Sequence, residues 1–241
     1  MTGEQHTDDD GHYGVEALLL HDHPRAVRFV VGLWIVAGGL FVAMAVTPLR
    51  EVVDDLDRWF YDLTYPIKWG PTTALAYTLA FLGSAWFMWP LRAVVSAYLV
   101  WRKRWNGLAV WLLAVVLSEP LIGILKAAYG RPRPPVALVE TVTASFPSGH
   151  ATAGAVAALS LVIVFVPAGP ARRNLEVAAA VFAFLMAGSR IYLGAHWLTD
   201  AVAGVAFGAA TAIGAAIIVQ RIRDGAVPET APEAQAGIAD S

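Results

Sequence analysis

Apolar runs separated by short polar joints dominate the chain. Runs near the ~20 residues that a bilayer-crossing helix needs recur at Phe29–Thr47, Ser84–Trp101, Leu108–Leu125, Ala151–Val166, Leu175–Leu193 and Leu198–Val219. The apolar region from Pro71 to Trp101 is longer than one crossing and is broken by Pro90 and Arg92. It starts beside an acidic stretch (Glu51–Asp57) and ends at a basic one, so it crosses once, and a short interfacial or re-entrant helix over Pro71–Leu82 absorbs the excess. The pattern predicts an all-α six-transmembrane-helix bundle with that extra helix between the first and second spans. Residues 1–28 read as a polar tail and 29–220 as one membrane-embedded domain. Residues 221–241, rich in Ala, Pro and Glu, read as a disordered tail.

Composition supports this reading. Of 241 residues, 57% are hydrophobic and 15% charged, against about 25% charged in ordinary soluble domains. About a third of the surface of a chain this size stays exposed, so the apolar excess has nowhere to hide except in lipid. A disordered chain, a nucleic-acid partner and a typical cytosolic enzyme are excluded. There is no cysteine, which removes disulfides and thiolate chemistry. The first residues include Asp8-Asp9-Asp10 and lack the basic start of a secretory signal, so the first span is expected to stay as an anchor. His6, His12, His21 and His23 are irregularly spaced and read as a solvated tail, not a metal site.

The net charge of −2 says little; its distribution says more. Arg25, Arg28, Arg102-Lys103-Arg104, Arg172-Arg173, Arg221 and Arg223 fall on one side of the six-span layout. The positive-inside rule makes that side cytoplasmic, giving a multi-pass plasma-membrane protein with both termini inside. Trp59 and Trp69 on one side, with Trp101 and Trp105 on the other, suit the interfacial aromatic belts. Gly204 and Gly208, four residues apart in the last span, are suited to close helix approach.

Three polar clusters then fall on the extracytoplasmic side. Lys126, Arg131 and Arg133 surround Gly130 and precede Pro134 where the third span exits. Cations are disfavoured on that face, and arginine offers a fork suited to phosphate. In Pro147-Ser148-Gly149-His150, Ser148 is a good N-cap and Gly149 lets an anion approach free N–H groups. In the third cluster, Ser189-Arg190 precedes His196, and Asp200 follows one turn later at i+4. A carboxylate so placed can accept the Nδ1–H of a histidine and leave Nε2 as a free lone pair. Four cations, a helix N-terminus, two histidines and a carboxylate on one surface suit phosphoryl transfer, which is mostly positioning and charge neutralisation. Glu119 costs about 2.5–3.5 kcal/mol inside a span. It precedes Lys126 by seven residues on the same helical face, so it is expected to support the basic site, to wall the headgroup pocket, or to face a small polar cavity between helices.

These clusters resemble the signature of the type 2 phosphatidic acid phosphatase superfamily. Six residues separate Lys126 from Arg133-Pro134, Pro147-Ser148-Gly149-His150 follows, five residues separate Ser189-Arg190 from His196, and three separate His196 from Asp200. The resemblance implies a metal-independent lipid phosphatase in which His196 attacks phosphorus, Asp200 orients it and His150 protonates the leaving group. Lys126, Arg133, Arg190, the Ser148 hydroxyl and the Gly149 N–H would hold the phosphate, with Arg131 and Ser189 as neighbours. No cofactor is implied. Substrates would be lipid phosphates or pyrophosphates of the undecaprenyl pyrophosphate, phosphatidylglycerol phosphate or phosphatidic acid type, met at the bilayer surface. The alternatives are a lipid phosphotransferase with a sugar or lipid acceptor and, from another class, a non-enzymatic lipid-phosphate carrier. Oligomeric state is left open.

Overall fold

The computed structural model of the protein describes residues 23–167 and 169–226. Among them the chain forms eight helices and no strand: α1 (His23–Ala45), α2 (Thr47–Thr64), α3 (Gly70–Leu82), α4 (Ala85–Trp101), α5 (Trp105–Tyr129), α6 (Gly149–Phe165), α7 (Pro170–Tyr192) and α8 (Leu198–Ala226). By length and composition α1, α5, α7 and α8 can each cross a membrane, and α3 with α4, bent by 49°, make a fifth candidate. The sixth expected crossing falls on α6. Its 17 residues reach about 25 Å at 1.5 Å per residue, short of a ~30 Å hydrocarbon core.

α8 is the axis, packed against α6, α1, α5 and α7. In lipid, apolar side chains gain little by leaving their solvent, so helices associate through close backbone packing and interhelical hydrogen bonds. The α6–α8 seam is built that way. A Cβ on Gly204 would stand 2.6 Å from the Ser148 carbonyl oxygen, and one on Gly208 the same distance from that of Thr152. The Thr152 hydroxyl donates to the Gly204 carbonyl at 3.1 Å. Bulkier side chains (Leu99, Val110, Trp111, Ile163, Ile213) fill the end of the bundle away from the clusters.

The structure corrects two expectations. The tail is not found at residues 221–226, because α8 runs on to Ala226; residues 227–241 lie outside the described residues. The acidic stretch Glu51–Asp57, given no element of its own by the pattern, is part of α2. This helix has its own logic. Leu49, Val52, Leu56, Trp59 and Leu63 form an exposed stripe, whereas Asp57 on the other side is buried. α1 also begins ahead of Phe29, within the segment expected as tail. His6, His12 and His21 lie outside the described residues.

Candidate active site

Local signals place each cluster. α5 ends where Gly130 takes a left-handed conformation (φ 53°) and its N–H caps the Lys126 carbonyl at 3.0 Å. This leaves Lys126 in the last turn and sends Arg131 and Arg133 onto the following loop. Ser148 caps α6, its Oγ accepting from the Ala151 N–H at 3.5 Å, so that Gly149 and His150 open the helix. Between α7 and α8 the chain turns through Gly194 (φ 67°), where a Cβ would collide with the Val136 carbonyl oxygen. That turn carries His196 to a point just before α8 begins.

The loops enclose a cavity of about 210 Å³. Lys126, Arg133 and Arg190 line it with His150, His196 and Gly149, and the α5–α6 loop adds Glu140 to Thr143. Arg190 is 4% exposed, and its Nε has no hydrogen-bond partner among the described residues. Buried donors are normally satisfied, so an orphan donor beside two other cations marks a place suited to an anion's oxygens. Lys126 Nζ donates to the Ala144 carbonyl at 2.5 Å. Arg133 is held by the Thr143 carbonyl at 2.8 Å and by that of Ala195.

His196 is 3% exposed. Its Nε2 lies 3.3 Å from Arg133 Nη1 in the cavity wall, and its Nδ1 lies 3.5 Å from Asp200 Oδ2. Burial pushes its pKa down to about 4, with Arg133 and Lys126 adding to the effect and Asp200 opposing it. The ring is therefore neutral at physiological pH, with a lone pair available for attack.

Asp200 is fully buried and heavily engaged. Its Oδ2 accepts from the Ser145 hydroxyl and, at 2.9 Å, from the Trp197 N–H. Its Oδ1 accepts from Arg131 Nη1 at 2.6 Å. Arg131 thus faces away from the cavity. Its Nη2 reaches Asp54 at 2.5 Å and Asp57 at 2.8 Å, both on α2. Asp57 in turn accepts from the Thr199 N–H at 2.9 Å and from the Thr199 hydroxyl. Burial raises the pKa of Asp57 above its ordinary 3.8 despite these donors.

The structure therefore brings Lys126, Arg133, Arg190, Gly149, His150 and His196 around one cavity, with Asp200 behind His196. The others are placed differently. Arg131 serves Asp200 and the α2 carboxylates. The Ser148 hydroxyl caps a helix, and Ser189 donates to the Met186 carbonyl at 2.6 Å; neither lines the cavity. Glu119 pairs with Arg92 of α4, not with the basic site, because a guanidinium on the adjacent helix offers a closer partner than Lys126 two turns along. Asp54, Asp57, Ser145 and Thr199 join the site from positions that the sequence reading leaves aside. For the first two, the apolar stripe of α2, with both carboxylates off it, is the signal the sequence holds.

Helices without strands among the described residues, several of them apolar and of membrane length, define a multi-pass membrane protein, and a buried histidine facing a cationic cavity suits an anion. The PAP2 superfamily model matches residues 107–224, from α5 to α8. Phosphatidylglycerophosphatase B of Bacillus subtilis (strain 168) is 35% identical over 133 residues. That match covers 53% of this chain and 65% of the relative's length. A solved transmembrane PAP2-type phosphatidylglycerolphosphate phosphatase from Bacillus subtilis superposes with a TM-score of 0.70 at 25% identity, covering 83% of this chain and 98% of that one. Aquifex aeolicus LpxE shares the fold with a TM-score of 0.53 at 24% identity, over 69% of this chain and 95% of its own.

Proposed function

We propose that the protein is a membrane-integral lipid phosphatase working through a phosphohistidine. The observation that carries this reading is His196: one ring nitrogen faces Asp200, and the other faces a cavity walled by Lys126, Arg133 and Arg190. The three cations and the Gly149 N–H hold the phosphoryl oxygens. Nε2 of His196 attacks phosphorus, forming an N–P bond as the P–O bond to the lipid breaks, and His150 gives its proton to the departing oxygen. Water, deprotonated by His150, then cleaves the N–P bond and releases phosphate. General acid–base assistance of this kind is worth about 10²–10⁴ in rate.

The Bacillus subtilis matches favour a phosphatidylglycerol phosphate-type substrate over the undecaprenyl pyrophosphate and phosphatidic acid types. We assign six crossings to α1, α4, α5, α6, α7 and α8, with α3 interfacial, both termini cytoplasmic and the cavity at the extracytoplasmic surface. The membrane domain runs from α1 to α8, residues 23–226.

His196→Ala is expected to lower phosphate release from a lipid phosphate by about 10³-fold or more while the purified variant keeps its helical content. Wild-type protein quenched within one turnover under alkaline conditions should carry phosphate on His196. Near-normal turnover by His196→Ala would overturn the reading.

A further inference from the structure

We propose that Asp57 and Arg131 are positioning residues for His196, acting through Asp200, and that α2 belongs to the reaction apparatus for this reason. The inference rests on the phosphohistidine reading.

α2 turns two of its carboxylates, Asp54 and Asp57, into the protein, while Glu51, Asp55 and Asp62 stay exposed. Leu49, Val52, Leu56, Trp59 and Leu63 are exposed along one face, and Asp57, 1% exposed, points into the protein. An interfacial helix normally lays its apolar stripe on lipid and its charged face toward water. Here the face opposite the stripe meets Arg131, Thr199 and the start of α8. A carboxylate buried at that depth needs compensation. Asp57 receives it from the Thr199 N–H, one of the unpaired donors at the N-terminus of α8, and from the guanidinium.

The consequence reaches Asp200. Arg131 is 2% exposed, and its two terminal nitrogens divide the work: Nη2 is clamped by Asp54 and Asp57, and Nη1 is presented to Asp200 Oδ1 and the Thr199 hydroxyl. With Oδ1 fixed, the carboxylate can turn only Oδ2 toward Nδ1 of His196. Three carboxylates meet Arg131, and Arg50, 3.7 Å from Asp54, adds one more positive charge, so the cluster keeps a single negative charge in excess. That excess favours the positive imidazole ring that forms as the N–P bond is made. Trp197, beside His196, seals the cluster: its ring lies 5.7 Å from the guanidinium carbon and edge-on to Tyr61 of α2.

The test measures kcat, KM and the single-turnover rate of phosphohistidine formation in detergent micelles of a lipid phosphate. The variants are Asp57→Asn, Arg131→Lys and Arg131→Met, each with thermal unfolding recorded in parallel. Asp57→Asn and Arg131→Met are expected to slow phosphohistidine formation and kcat by about 10- to 100-fold, the range seen when the hydrogen-bond partner behind a metal-bound histidine is lost, with KM within about twofold. Arg131→Lys keeps the charge but not the fork and should recover part of the loss. The double variant Asp57→Asn/Arg131→Met should be no slower than Arg131→Met alone. If Asp57→Asn does not fold, Asp54→Asn and Arg131→Lys carry the comparison. Wild-type phosphohistidine formation in a folded variant of Asp57 or Arg131 overturns the inference; in the fallback, wild-type rates in Asp54→Asn and Arg131→Lys together do so. If that result accompanies an inactive His196→Ala, the phosphatase reading stands and only the role of α2 falls.

Discussion

α8 and α1 are both long apolar helices, yet they sit in opposite environments. The apolar window of α8 is 78% buried within the protein, and that of α1 only 17%. Their residues match. α8 faces its neighbours with Ala201, Ala203, Gly204, Ala206, Gly208, Ala209, Ala212 and Ala216, whereas α1 shows Phe29, Trp34, Ile35, Val36 and Val42 to the outside. A water-soluble protein tends to the reverse, with large apolar residues inside. When the solvent is lipid, burying a large side chain gains little, so the interior is used for close backbone contact. The same inner pair, α6 and α8, carries His150 and Asp200. The site is thus mounted on the most tightly packed part of the molecule, as a constellation that must hold its geometry requires.

The most severe way to break this contrast is to put bulk into the inner seam. Gly208→Leu would drive a side chain into the Thr152 carbonyl, which already lies 2.6 Å from an ideal Cβ. Since backbone cannot step aside as a side chain can, the expected cost is at least about 3 kcal/mol, the upper end of overpacking, with activity lost as α6 shifts His150. Ile35→Leu on α1, at a position 68% exposed, should stay within about 0.5 kcal/mol of wild type. Thermal unfolding in one detergent compares the two; equal stabilities would remove the inner–outer distinction.

How much of this is legible in the sequence depends on whether a signal is local. The membrane helices announce themselves because an apolar run of spanning length has few places to go outside a bilayer. The cavity residues are readable because each cluster is a short motif with its own stop or cap: Gly130 after Lys126, Ser148 before His150, Gly194 before His196. α2 is harder to read: Asp54 and Asp57 turn inward while Glu51, Asp55 and Asp62 stay exposed, and the acidic run itself does not mark which carboxylates are buried. Pairings across the chain are out of reach. Arg131 meets Asp57 over 74 residues of separation, and nothing in either neighbourhood names the other. Glu119 shows the hazard of spacing alone: seven residues suggest Lys126, but Arg92 on α4 holds it.

That ion pair sharpens the comparison from the outer side. The Arg92 side chain is 7% exposed and that of Glu119 33%, so removing the carboxylate strands a mostly buried cation. A fully buried pair broken this way costs about 3–5 kcal/mol; with a third of Glu119 open to solvent, roughly 1–3 kcal/mol is expected for Glu119→Ala. Arg92→Met/Glu119→Leu, which removes both charges, should regain most of the loss. Because α4 lies outside the inner seam, kcat in the folded fraction should stay near wild type. A tenfold fall in kcat at unchanged stability would instead tie this pair to the site.

The mildest effect expected is a proton's worth of stability, and it too should track the inner helices. Free histidine titrates near 6.5, whereas burial holds His196 near 4 in the folded protein. As pH falls below 6.5, the unfolded chain gains a proton that the native one refuses. This residue's contribution is therefore complete above about 6.5 and declines as pH drops toward about 4, with a slope of at most about 1.4 kcal/mol per pH unit. Asp57, raised above 3.8 by burial, acts with the opposite sign at the low end of that window: its native carboxyl takes up a proton first and offsets part of the loss. Unfolding temperatures measured between pH 7 and pH 4.5 should show the decline in wild type and in Ile35→Leu, and a flatter line in His196→Gln. An unchanged slope in His196→Gln would mean that the acid sensitivity belongs to another group and that His196 is not held neutral by its burial.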